Sequence, residues 1–126
     1  MKNWIITVLL SLTILATAAF PVHAAPVDGM SPELAKEYCG TSAKLAYTII
    51  YYKHLGGTEA ELRSYIKSIG DTLGVYKGVV TDLITVYYGK QFDNADFSPL
   101  FEKGVKAKFV KQFTDQCSVQ VLGVET

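Results

Sequence analysis

Two cysteines, Cys39 and Cys117, are the only ones in the chain, and a bond between them would close most of it into one loop. Such a pair persists as a disulfide in an oxidising compartment. The N-terminal stretch gives a reason to expect one. "MKNWIITVLLSLTILATAAFPVHAAPVDG" carries Lys2, an apolar run from Trp4 to Phe20, Pro21, and small or modest side chains at Val22-His23-Ala24. That is the layout of a secretory signal peptide cleaved after Ala24. Cleavage after Ala25 would change little in the mature chain. Retention as a membrane anchor is the other alternative, because the run reaches the lower end of a spanning length. No Cys directly follows the apolar run, so lipidation is not suggested.

A staple from residue 39 to residue 117 would contribute on the order of 4 to 5 kcal/mol in the chain-entropy model. The two thiols lie on distant segments without Cys-x-x-Cys spacing, which argues for a structural bridge over a redox-active one. The expected organisation is a signal peptide at 1–24, a flexible arm at 25–30, a helical domain at 31–117 and a C-terminal tail at 118–126. The product would be exported, to the periplasm or the extracellular medium.

Charge excludes several partners. The 126-residue chain has twelve Lys/Arg and twelve Asp/Glu, and losing Lys2 with the leader leaves a net charge near −1. Nothing in that balance steers it toward nucleic acid or an anionic membrane. No second apolar stretch is long enough to insert stably in a bilayer once the leader is gone. A chain of about 100 residues folds as one domain with little spare stability.

Periodicity predicts an all-α bundle of about four helices. Ser31 as cap, Pro32 and Glu33 open the first helix. Leu34, Tyr38, Leu45, Ile49 and Tyr52 share a face at 100° per residue, with Cys39, Ala46 and Ile50 beside it. Lys36, Glu37, Lys44 and His54 fall opposite, and Lys53 lands in the apolar arc with only its stem needing cover. Gly56-Gly57 ends this helix. Thr58 and Glu61 form a capping-box signature for a second, with Leu62, Tyr65, Ile66 and Ile69 inward.

The segment from Thr72 to Tyr88 is rich in β-branched and aromatic residues that suit a strand. Its apolar residues nevertheless recur at three and four (Leu73, Tyr76, Val80, Leu83, Ile84, Tyr87), which favours a third helix. Gly74, Gly78, Thr81 and Thr85 would line its other side, either as a smooth strip for close approach of another backbone or as plain solvent-side residues. "GKQFDNADFSP" is a loop whose Phe92 and Phe97 should fold back on the bundle. Ser98 with Pro99 would start the fourth helix, on which Phe101, Val105, Phe109, Phe113 and Cys117 advance in fours. The ending "SVQVLGVET" reads as a docked extended tail or a frayed one.

Catalytic parts are scarce. With His23 lost in the leader, His54 is the one remaining histidine, and neither thiols nor carboxylates have zinc-ligand spacing around it. There is no Gly-x-Ser-x-Gly turn, no Walker loop and no calcium-loop pattern. No catalytic residue, metal or cofactor is therefore assigned. Asp71 with Asp82, or Asp93 with Asp96, would serve acid-base hydrolysis only across a cleft that sequence does not show. Tyr47 and Tyr51 near the Lys36, Lys44 and His54 side of the first helix, and the strip carrying Gly74 and Gly78, are the candidate interface elements. Lys103, Lys106, Lys108 and Lys111 wrap around the fourth helix and read mainly as a solvated face, with contact to an anionic surface or partner as the alternative.

Three functional classes fit. The first is a small exported binding protein, an inhibitor or protective partner of an envelope or secreted protein. The second is a carrier or accessory factor for an apolar small ligand, held between helices by Tyr38, Tyr52, Tyr65, Tyr76 and Phe109. A carboxylate-based hydrolase comes last.

Overall fold

A computed structural model of the chain describes residues 30–123, so the expected leader and arm lie outside the described residues except for Met30. Among the described residues five α-helices follow one another: α1 Pro32–His54, α2 Glu59–Ser68, α3 Gly70–Leu73, α4 Tyr76–Tyr87 and α5 Val105–Leu122, with 3-10 turns at Lys90–Phe92 and Ser98–Phe101 before α5. No strand occurs among the described residues.

The Cys39–Cys117 disulfide joins α1 to α5 at a Cα–Cα distance of 5.5 Å. About two turns further along α1, the Tyr47 ring lies 5.9 Å from the Phe109 ring. Advancing on α1 therefore means retreating on α5, and the two helices run antiparallel. Their packing is the most extensive among the described elements, with α4 against α1 next.

That bond explains a shift in the buried face of α1. Leu34, expected inward, is 50% exposed, while Ala35, Cys39, Ala43, Ala46 and Ile50 are fully buried. A helix bonded this closely to its neighbour has room beside the bond only for small side chains. The bulk comes from the opposite wall, where Phe109 and Phe113 are fully buried. The buried Ser42 hydroxyl donates to the Tyr38 carbonyl at 2.8 Å, so it is satisfied within its own helix.

The capping box of α2 is present: the Glu61 N–H donates to Thr58 Oγ1 at 3.2 Å, and the Thr58 N–H donates to Glu61 Oε1. Its expected inward face is only partly used, since Leu62 is buried and Tyr65 is 59% exposed.

Three sequence expectations need correction. The third helix is broken: Gly74 adopts φ +57° and separates α3 from α4, a conformation that side-chain-bearing residues rarely take. Gly74 and Gly78 thus never form one helical strip. Ser98 does not cap the last helix. Its N–H and hydroxyl both donate to Asp96 Oδ1, at 3.0 and 2.6 Å, which fixes a 3-10 turn. The chain then turns through Gly104 at φ +84° into α5. Finally, residues 118–122, set aside as tail, continue α5, with Val121 buried.

The loop rings do fold back. Phe92 and Phe97 are buried, with Phe92 5.4 Å from Tyr87 and 6.0 Å from Phe97.

Candidate functional site

The antiparallel α1–α5 pair leaves a long groove of about 810 Å³ on its outer side. Lys36, Gly40 and Lys44, one turn apart on α1, form one wall. Lys106 and Lys111 stand on the α5 wall, with Ala107 and Val110 between. Four lysines against one aspartate, Asp115, give it a positive rim around an apolar floor. Asp115 is bound to Lys111 at 2.7 Å. Among the described residues, Lys36, Lys44 and Lys106 have no carboxylate partner.

Lys106 connects this groove to an aromatic patch. Its Nζ lies 5.2 Å over the Tyr47 ring. Tyr47 in turn meets Phe101 edge-on at 5.4 Å, and its hydroxyl donates to the Leu100 carbonyl at 3.1 Å. Burial, then the nearby Tyr51 phenol, pushes the Tyr47 phenol up from its ordinary value. Tyr51 also packs edge-on against Phe101 at 5.0 Å and stays 45% exposed. The exposed His54 ring lies 4.7 Å from the same Phe101. Phe101 is thus the hub that seats the 3-10 turn on α1.

The structure brings Lys44, Tyr47, Tyr51 and His54 onto one face. It does not bring Gly74 and Gly78 there: both are exposed, on the α3–α4 segment. Sequence reasoning set Lys36 beside Tyr47 and Tyr51, treated Lys106 and Lys111 only as a separate feature of the last helix, and missed Phe101 as a member of this face. On one helical wheel the α5 lysines scatter, and only the packing of α1 beside α5 gathers two of them with two from α1.

A second concavity, of about 520 Å³, opens between α1, α2 and α4. Leu45, Ile49, Tyr52, Leu62, Tyr65 and Ile66 line most of it. The cage of five rings expected for an apolar ligand is not assembled there. Tyr38 and Tyr76 stack on each other at 5.7 Å, Phe109 is fully buried in the core, and only Tyr52 and Tyr65 reach the cleft.

Lys53 is placed differently from the expectation of a covered stem and a free head. Its Nζ donates to the carbonyls of Tyr87 at 2.8 Å and Phe92 at 3.1 Å, and lies 5.4 Å from the centres of both the Tyr88 and Phe97 rings. Burial lowers its pKa, partly offset by Asp93.

For hydrolysis, one carboxyl must be held protonated in an apolar wall. Asp96 has the opposite environment: the Ser98 hydroxyl and N–H hold it below the usual carboxylate value. Among the described residues, no group of three or more His, Cys, Asp or Glu is placed to hold a metal ion. No helix among them is long and apolar enough to cross a membrane.

No protein-family model, curated protein or solved structure matches the chain.

Proposed function

We propose that the chain is an exported binding protein that loses residues 1–24 and recognises a protein partner through the α1–α5 face, as an inhibitor or protective partner of an envelope or secreted protein. One observation carries the reading: exposed Tyr51 and His54, seated on half-buried Phe101, form an aromatic patch continuous, through Tyr47 and Lys106, with a lysine-rimmed groove. Aromatic anchors beside cations on a rigid pair of helices are what protein recognition uses, because little conformational freedom is lost on docking. The disulfide that fixes this pair supports export, since such bonds persist outside the reducing cytosol.

The test is a photo-crosslinking amino acid at position 51, with position 75 as control, in the cells that make the protein. Val75 is 78% exposed but belongs to the α3–α4 connection. Position 51 should give one stoichiometric protein adduct and position 75 none. Absence of an adduct from position 51 removes the reading.

A carrier role is the second reading, favoured by the apolar cleft between α1, α2 and α4, whose volume lies in the range of small-ligand sites. Native mass spectrometry of the protein purified from its own cells discriminates: a bound apolar small molecule supports the carrier, and an unliganded mass opposes it.

A further inference from the structure

We infer that the groove between α1 and α5 takes an acidic, otherwise apolar peptide segment of the partner, lying along the groove with its carboxylates on the lysine rim. This deepens the protein-recognition reading and rests on it. Three observations converge. The first is charge: Lys36 and Lys44 on one wall face Lys106 and Lys111 on the other, and only Asp115 opposes them. A carboxylate lying between two walls of cations is attracted from both sides, partly shielded from solvent.

The second is the α1 wall. Gly40 sits in mid-helix, where glycine is the poorest helix former after proline. It has no positive φ, and a Cβ there would meet nothing within 4 Å. Packing therefore does not explain the glycine. A larger side chain would fill the middle of the groove, and its absence keeps the α1 wall open between Lys36 and Lys44.

The third is shape. The lysines line a concavity, and a bilayer surface cannot enter a groove as a narrow chain can. The charge balance, twelve Lys/Arg against twelve Asp/Glu, also gives no overall pull toward an anionic membrane. Lys36 and Lys44 are separated by about 12 Å along the helix axis, which an extended segment spans in about four residues. Glutamates alternating with small apolar residues would place the apolar ones on Ala107 and Val110 and leave the carboxylates to the rim.

The probe is a fluorescein-labelled twelve-residue peptide alternating glutamate with valine, titrated by anisotropy into the oxidised domain at low salt. A glutamine-for-glutamate peptide and phosphatidylglycerol vesicles serve as comparisons. Binding should weaken at least about tenfold for the glutamine peptide and for the Lys44→Glu/Lys106→Glu variant, and should fall as salt rises. Lys108→Glu, a change in charge half as large and outside the groove lining, should weaken binding far less. Gly40→Leu should block the site without altering any charge. Should that variant fail to fold, by far-UV circular dichroism, the lysine variants still decide. The inference is overturned by no binding of the glutamate peptide, by equal binding of the glutamine peptide, by an equal effect of Lys108→Glu, or by binding to vesicles alone. An adduct from position 51 together with any of those results would keep the recognition reading and discard only the acidic segment.

Discussion

Lys53 shows how a single side chain closes this fold. Its ammonium holds the last carbonyl of α4 and the Phe92 carbonyl together, where the negative end of the helix favours a cation. Replacing it by methionine keeps the stem and removes both hydrogen bonds. Lys53→Met should lower the stability to urea by about 1 to 3 kcal/mol and speed amide exchange in residues 89–97. An unchanged urea midpoint would show that the two bonds only offset the cost of burying the charge. The sequence placed Lys53 correctly on the apolar side of α1. Its partners lie 34 and 39 positions away, however, and no local period exposes a contact of that kind.

At the scale of elements, the glycines of the α3–α4 segment make the sharper case. Spacing alone put Gly74 and Gly78 on one strip, but Gly74 holds a left-handed bend and Gly78 lies inside α4 with open space where a Cβ would stand. Their alanine variants should move in opposite directions. Gly74→Ala should destabilise by about 1 to 2 kcal/mol, because the bend disfavours a side chain, and Gly78→Ala should stabilise by roughly 0.5 to 1 kcal/mol. Urea midpoints of the two variants check both signs. The helical period of residues 79–87 was legible because Val80, Leu83, Ile84 and Tyr87 repeat at three and four against a single buried face. The break at Gly74 was not, because a glycine inside an apolar period reads equally as a tolerated residue. The start of α5 was likewise displaced, since Ser98 and Pro99 form a good cap signature that Asp96 diverts into a 3-10 turn.

For the whole molecule, one covalent bond aligns the candidate face. Breaking it, by reduction or by a double Cys39→Ala/Cys117→Ala change, should remove on the order of 4 to 5 kcal/mol if the chain-entropy contribution is fully realised. A domain of this size holds about 5 to 15 kcal/mol in total, so reduction should remove a large share of it and lower the thermal midpoint steeply by circular dichroism. The same thin margin sets its alkaline limit. Burial leads the upward shifts of Tyr38, Tyr47, Tyr87 and Tyr88; for Tyr88, the Tyr52 phenol and the Glu59 and Glu61 carboxylates add to it and push the value up to about 12. The unfolded chain ionises these phenols near their ordinary 10.0, so their contribution is whole below that pH and is lost as pH rises through the higher folded values. Lys53, lowered from 10.5, acts the other way as pH climbs toward that value, but four phenols outnumber one ammonium. The urea midpoint should therefore fall between about pH 9 and about pH 11.

The bundle rests on its two joined thiols, and the binding role we propose rests on export of the chain. The decisive measurement is the intact mass of the protein isolated from its own cells without reductant and with free thiols alkylated. The expected mass is that of residues 25–126 less two hydrogens, with no alkyl group added. A chain that carries two alkylated cysteines, or still begins at Met1, would contradict it.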